Sequence, residues 1–184
     1  LPVEDDLWVA DVDGDNKIGS IDYTIIKQHI LHYIDEFPKE ARNDYIQVEC
    51  GLSHTVALKY DGTVWVWGDN TNRKLGIEEG PSILKPFNIS GLQDIVYIST
   101  GDEHSLALKK DGSVWAWGRN VDNQLGDGTT ITRRVPIKVN GLEEIKDIAA
   151  GGKFSVALKN DGTVWTWGNN RSGQLGDGTT SKKA

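Results

Sequence analysis

The segment Gly51-Leu52-Ser53-His54-Thr55-Val56-Ala57-Leu58 decides the fold, because the chain contains it three times. It returns as GDEHSLAL at residues 101–108 and as GGKFSVAL at residues 151–158, so the start positions are spaced by 50 residues. Repeats of this length are typical of solenoids, propellers and arrays, in which each repeat forms one supersecondary unit. The chain is therefore expected to be a repeat protein over most of its length.

Each repeat has the pattern of an antiparallel hairpin. Val56 and Leu58 alternate with small or polar residues, as in a half-buried strand. Asp61-Gly62 follows in the first repeat, and this dipeptide favours a type I′ turn, in which both central residues have positive φ. A return strand then carries two tryptophans two positions apart, which predicts that both rings lie on one face. The adjoining glycine indicates either a bulge or a close approach of two backbones. The return strands are residues 64–68, 114–118 and 164–168.

The second half of each repeat contains a loop and two more strand-like segments. The loop sequence LGDGTT occurs at residues 125–130 and again at residues 175–180. Two further pairs of segments correspond, residues 86–92 with 136–142 and residues 95–100 with 145–150. About four short strands in each period indicate a blade of a β-propeller.

The combined pattern G-x-x-H-S/T-x-A-L-x-x-D-G-x-V-W-x-W-G-x-N-x-x-x-Q-L-G resembles the RCC1 repeat (regulator of chromosome condensation) and covers residues 45–184. WD40 and kelch repeats fit less well, because the W-x-W-G strand has neither a terminal Trp-Asp nor a double glycine. The first repeat departs from the pattern at residues 73–80. The resemblance implies a seven-bladed propeller, of which three blades are expected here, with repeats starting near 51, 101 and 151 and the third truncated.

A different chemistry is present near the N-terminus, in the sequence DVDGDNKIGSID at residues 11–22. Its acidic residues occupy positions 1, 3, 5 and 12 of a 12-residue loop. Ca²⁺ takes six to eight oxygen ligands, and an EF-hand loop supplies them from these positions and from the backbone carbonyl at position 7. The sequence therefore predicts a calcium site. Its ligands are expected to be Asp11, Asp13, Asp15, the carbonyl of Lys17, and Asp22.

Aspartate rather than glutamate at position 12 departs from the EF-hand signature. With the amphipathic segment that follows, expected to be a helix from Asp22 to Ile34, this loop resembles one repeat of a type I dockerin from a cellulosome system. A whole dockerin has two such repeats. The resemblance implies calcium-dependent docking to a cohesin domain of an extracellular scaffold. The residues it assigns to that contact are Ser20, Ile21, Lys27 and Gln28.

These patterns predict a mainly β fold, an incomplete RCC1-like propeller of three blades preceded by a small α-helical, EF-hand-like dockerin half. The predicted domains are residues 1–37 and 45–184, joined by a linker at 38–44. We expect the chain to be a piece of a longer protein. Because three blades cannot close a ring, the terminal faces are expected to expose apolar residues. The residues expected to be exposed there include Val56, Leu58, Leu158 and Val164.

Composition argues against several classes of function. The net charge of −7 does not favour nucleic acid, whose phosphates are bound by Lys and Arg. No apolar run approaches the roughly 18 residues of a membrane span. The chain contains no methionine, so any export signal would lie outside it. Cys50, the single cysteine, rules out an intramolecular disulfide and is expected to be a small buried strand residue.

Few residues suggest catalysis. His54 and His104 invite a metal or catalytic role, but Phe154 occupies the same repeat position, so structural packing is favoured. The six repeat tryptophans suit either a sugar-stacking platform or packing between and within blades, and we favour packing. We therefore expect an extracellular binding and assembly protein, not an enzyme, whose propeller presents loops to a protein or polysaccharide ligand in polysaccharide degradation. The alternatives are a propeller-based glycoside hydrolase or lyase, and an inhibitor or nucleotide-exchange factor, since RCC1-like propellers include both of the latter.

Overall fold

The computed structural model describes residues 44–78 and 80–184. The chain divides into two units, residues 1–42 and 43–184, and the second is described here. The dockerin-like segment and its expected helix therefore lie outside the described residues. The same applies to the expected calcium ligands and cohesin contacts, namely Asp11, Asp13, Asp15, Lys17, Asp22, Ser20, Ile21, Lys27 and Gln28.

Three antiparallel sheets, one for each repeat, form the described part of the chain. The first two sheets have four strands in chain order, and the third has three. The strands are β1 Tyr45–Cys50, β2 His54–Lys59, β3 Val64–Asp69, β4 Ser82–Asn88, β5 Ile95–Thr100, β6 His104–Lys109, β7 Val114–Gly118, β8 Arg133–Lys138, β9 Ile145–Ala150, β10 Phe154–Lys159 and β11 Val164–Gly168. A short 3-10 helix, Thr71–Arg73, follows β3. The predicted blade of about four strands is thus confirmed, and no described helix is long and apolar enough to cross a membrane.

The strand after each hairpin turn bulges at its glycine, as predicted. The pairing of β3 with β4 shifts between Val66 and Gly68, and that of β7 with β8 shifts between Ala116 and Gly118. The two glycines have φ of 107° and 99°, values that a residue with a Cβ adopts only at a cost. The bulge turns each outer strand away from its hairpin.

The type I′ turn predicted at Asp61-Gly62 is wrong. Gly62 has positive φ, but Asp61 does not. Lys59 N donates to Thr63 O, and Gly62 N donates to Lys59 O, so the connection has three residues and ends in a left-handed glycine. The Asp61 carboxylate explains the difference, because it accepts from both the backbone N and the hydroxyl of Thr63, at 2.9 and 2.6 Å. This local capping fixes the aspartate in its turn.

Each blade buries one face against the next blade. Between the first and second blades, strand residues such as Val56 and Leu58 pack with Ile98 and Trp117. The same arrangement recurs between the second and third blades, where Leu106 and Leu108 take the places of Val56 and Leu58. The apolar core therefore lies between the sheets. The buried members of this second cluster are Leu106, Leu108, Val114, Ala116, Leu125, Val139, Leu142, Ile145, Ile148, Ala157 and Trp167.

The second tryptophan of the return strand joins neighbouring blades in the second and third repeats. Trp117 Nε1 donates to Lys74 O at 3.1 Å, and Trp167 Nε1 donates to Gln124 O at 2.9 Å, so each indole bonds to the preceding blade. Trp117 is 0% and Trp167 is 5% exposed. Packing between blades, predicted for the tryptophans, is confirmed for these two. Trp165, in contrast, is exposed.

The expected exposure of apolar residues on the terminal faces is only partly confirmed. Val164 is 61% exposed, and Leu158 is partly exposed. Val56 and Leu58 are fully buried, because strand alternation points them at the second blade. The opposite face of the first blade carries the exposed apolar residues, among them Val48.

The buried environment predicted for Cys50 is also wrong, since Cys50 is exposed. It is the last residue of β1, which is an edge strand of its sheet. The corresponding residues, Thr100 and Ala150, are partly buried.

We predict that Gly126→Ala destabilises the fold more than Gly128→Ala. Both glycines have positive φ, so each substitution costs about 1–2 kcal/mol in backbone strain. A Cβ on Gly126 would lie 2.8 Å from Trp167 Nε1, whereas nothing lies within 4 Å of one on Gly128. Overpacking should destabilise the Gly126→Ala variant by roughly a further 1–3 kcal/mol, and it should not affect Gly128→Ala.

Urea denaturation of both variants measures the difference in the free energy of unfolding. Equal losses at the two positions would contradict the contact between tryptophan and glycine.

Candidate functional site

Most of the turns and long connections between strands lie at one end of the blades. The turn of residues 51–53 and the long connection of residues 70–81 lie at this end, because Asp69 N donates to Ser53 O at 2.9 Å. The second and third blades place their equivalents, residues 101–103 with 119–132 and residues 151–153 with 169–182, at the same end. We call this end the loop face.

An open depression lies in the loop face where the three short turns meet. It is lined by Cys50, Gly51, Leu52, Thr100, Gly101, Asp102, Ala150, Gly151 and Gly152. Leu52 N donates to Asp102 O at 3.1 Å, and Asp102 N donates to Gly152 O at 3.0 Å, so backbone bonds link each turn to the next. A Cβ on Gly51 would lie 2.7 Å from Gly101 O, and one on Gly101 would lie 2.3 Å from Gly151 O, so the first two turns need glycine where they meet the next turn.

The side chains around this depression differ from blade to blade. Positions 50, 100 and 150 are Cys, Thr and Ala, and positions 52, 102 and 152 are Leu, Asp and Gly. Positions 53, 103 and 153 are Ser, Glu and Lys. The repeat is thus regular where blades pack and irregular where the loop face meets solvent, with Leu52 75% exposed.

Ionic contacts hold the long loops of the first two blades. The ammonium of Lys74, which is nearly buried, lies 2.7 Å from Asp69 Oδ2 and 2.7 Å from Ser53 Oγ. Hydrogen bonds from Lys74 and from Thr71 hold the pKa of Asp69 well below its usual range. Glu103 accepts from Arg119 of its own blade and from Asn72 of the first blade, each at 2.7 Å. The loops are therefore fixed to the blades and to each other.

A buried asparagine fixes each long loop internally. Asn120 is 0% exposed, and its Nδ2 donates to Asp127 Oδ1 and Thr129 O, both at 2.9 Å. Its Oδ1 accepts from Leu125 N at 3.0 Å. Asn70 and Asn170 make the same contact with Leu75 N and Leu175 N. Sequence reasoning assigned these asparagines no role, although their recurrence at 70, 120 and 170 was the available signal.

The two repeat histidines lie inside the blade interfaces, not on the loop face. His54 Nε2 is 3.1 Å from Ser105 Oγ, and His104 Nε2 is 2.9 Å from Ser155 Oγ. Burial, with a smaller contribution from Lys74, lowers the pKa of His54 to about 4. Burial, with a smaller contribution from His54, lowers the pKa of His104 to about 3. The predicted packing role is confirmed.

The aspartates of the three hairpin turns are held by local hydrogen bonds. Asp61, Asp111 and Asp161 each accept from the residue two positions later, and this hydrogen bond lowers the pKa of each carboxyl. Within residues 44–78 and 80–184, no three His, Cys, Asp or Glu side chains are grouped to hold a metal ion.

Comparison with known proteins gives a consistent result. A family model described as the regulator of chromosome condensation (RCC1) repeat matches residues 61–108 and 111–158. A second model of the same description matches residues 45–73, 95–124 and 145–174. These matches, taken together, extend over the described blades. They do not include the residues of the dockerin-like segment.

Two solved structures have the same fold. Human WBSCR16 is 24% identical with a TM-score of 0.69, and the match covers 80% of this chain and 38% of that chain. Prp20p from Saccharomyces cerevisiae, whose structure was described together with its binding to Gsp1p and histones, is 27% identical with a TM-score of 0.67. That match covers 74% of this chain and 36% of Prp20p. The chain thus spans less than two fifths of each of these proteins.

We predict that Asn120→Asp destabilises the loop face. Aspartate cannot donate to Asp127 or Thr129, and it places a second buried carboxylate beside Asp127, so we expect a loss of about 1–3 kcal/mol. The control is Asn140→Asp, because Asn140 is exposed at the opposite end of the blade. Chemical denaturation compares the two variants. Equal stability of both would mean that the asparagine does not hold the loop.

Proposed function

Because this chain belongs to the family of RCC1-repeat proteins, we propose that it is a binding protein that presents its loop face to a protein partner. The family and the structural matches agree with a binding protein and not with an enzyme. One observation supports the choice of surface. The three repeats are alike where they pack and unlike in the side chains that surround the depression.

The chemistry of the loop face favours a protein over a polyanion. Leu52 supplies exposed apolar surface at the depression, and Asp102 supplies an acidic group beside it. Lys153 adds the opposite charge in the third blade. Protein interfaces combine apolar centres with polar rims of this kind, whereas phosphate backbones require clustered Lys and Arg. Prp20p, which is 27% identical to this chain, was described with its binding to Gsp1p and histones, and both of these partners are proteins.

A pair of substitutions tests the surface. Leu52→Asp combined with Asp102→Lys should weaken binding of a purified partner by roughly 10-fold or more, because it removes the apolar contact and reverses a charge. Glu143→Lys is the matched control, since Glu143 is exposed in the β8–β9 connection at the opposite end of the blades. Surface plasmon resonance measures both. A larger loss of affinity for the control variant would mean that the binding surface lies at the opposite end of the blades.

We also propose that the N-terminal segment docks the protein to a cohesin on an extracellular scaffold, in a polysaccharide-degrading system. The support is the donor set in the sequence, with aspartates at loop positions 1, 3, 5 and 12 and the Lys17 carbonyl at position 7. Carboxylate and carbonyl oxygens are the ligands that Ca²⁺ prefers. In this proposal Ca²⁺ offsets the charge of the aspartates, and the residues that contact the cohesin are Ser20, Ile21, Lys27 and Gln28.

Calorimetric titration of the 184-residue chain with Ca²⁺ tests the metal site. Asp11→Ala and Asp13→Ala should each weaken affinity by roughly 10-fold or more, because each removes a charged ligand. Asp6→Ala, outside the loop, should leave affinity unchanged. Capture by a panel of cohesins should then be lost in EDTA. Absence of calcium-dependent heat, or capture that persists in EDTA, would contradict the docking proposal without affecting the loop face.

A further inference from the structure

Each of the two blade interfaces contains one buried histidine at the same position. His54 on β2 is 3% exposed, and His104 on β6 is 0% exposed. Each bonds through Nε2 to a serine hydroxyl of the next blade, Ser105 or Ser155. The Nδ1 atom of each ring is buried and has no hydrogen-bond partner. The interfaces thus depend on polar contacts that involve a titratable group.

The second interface defines the protonation state of its histidine. Ser155 Oγ donates its proton to Gln124 O at 2.7 Å, so it accepts from His104 Nε2–H. The remaining nitrogen, Nδ1, is then an unprotonated acceptor. A proton added there would create a buried, charged donor with no acceptor, and desolvation of such a group is costly. Folding with packed blades therefore requires neutral imidazole.

The groups around each ring do not offset this cost. Lys74 lies near His54 and opposes a second positive charge. Asp69 and Glu103 favour that charge, but they are paired with Lys74 and Arg119. In the repeat, the places of Lys74, Asp69 and Glu103 around His104 are taken by Gln124, Arg119 and Lys153. His54 also opposes protonation of His104.

We propose that His54 and His104 are acid-sensitive latches, whose protonation separates the blades. Because the depression in the loop face is assembled from turns of three blades, acidification would also dismantle it. This inference concerns the packing of the blades and does not depend on the proposed function.

The third repeat supplies a matched replacement for the latch. Phe154 occupies the histidine position and packs over Gly151, as His54 and His104 pack over Gly51 and Gly101. A phenyl ring therefore fits over the turn glycine and cannot accept a proton. His54→Phe combined with His104→Phe should remove the latch while keeping a ring of similar shape over each turn glycine.

The direction of the pH effect follows from the lowered pKa values. The imidazoles have pKa of about 4 and about 3 in the folded chain, against 6.5 in an unfolded one. The unfolded chain therefore binds more protons below pH 6.5, so their stabilising contribution is complete above that pH and is lost as pH falls towards 4. From pH 7 to pH 4.5 the unfolding equilibrium constant should rise on the order of 10²-fold for each histidine.

Urea denaturation of the 184-residue chain at pH 7 and pH 4.5, followed by tryptophan fluorescence, tests the latches. In the double phenylalanine variant, most of the pH-dependent rise in the unfolding equilibrium constant should be lost. His29→Gln combined with His32→Gln is the control and should retain it. An unchanged rise in the phenylalanine variant, or its loss in the control, would overturn the proposal.

A second measurement applies if the phenylalanine variant does not fold. In the wild-type chain, the imidazole NMR resonances of His54 and His104 should show no titration between pH 7.5 and about 5.5 while the blades remain packed. Titration of either ring near pH 6.5 in the folded chain would overturn the proposal.

Discussion

The contact on which the rest of the structure depends is the packing of one blade's apolar face against the next blade. Apolar residues of β2 and β3, such as Val56 and Val66, meet Ile98 and Trp117 across the first interface, and the second repeats the arrangement. The indole also bonds to a backbone carbonyl of the preceding blade, and it fits because glycine lies beside it. A single blade has two faces and little core of its own, so each blade is stable only beside another.

This dependence separates the residues that build the protein from those available for recognition. Among the described residues, His54, His104, Trp117, Trp167 and the loop asparagines Asn70, Asn120 and Asn170 are buried in interfaces or loops. The turns at the loop face must also be linked to one another, but backbone bonds between Leu52, Asp102 and Gly152 achieve this. The side chains of Leu52 and Asp102 are therefore not needed to join the turns, and the variation at these positions from blade to blade gives the loop face a surface without repeat symmetry.

Polar contacts inside the interfaces give the blades a defined register as well as adhesion. The hydrogen bonds from His54 to Ser105 and from Trp117 to Lys74 O each join specific atoms of two blades. Gln47 adds a further link, because its side chain pairs with both the N and the O of Ile98. Buried polar groups of this kind are stable only while they remain paired, which makes the interfaces sensitive to any change in protonation.

The sequence alone determined that this chain is built of blades, because strand alternation, turn residues and a 50-residue period are local properties. The glycine beside the strand tryptophans indicated a bulge or close backbone approach at Gly68, and the presence of Phe154 at the same repeat position indicated the packing role of His54. Only the tertiary structure decided the turn at Asp61, the exposure of Cys50 and the burial of Val56. The depression in the loop face was likewise absent from the sequence patterns. These features depend on which face of a strand meets a neighbouring blade and on contacts between turns about 50 residues apart, and periodicity within one repeat specifies neither.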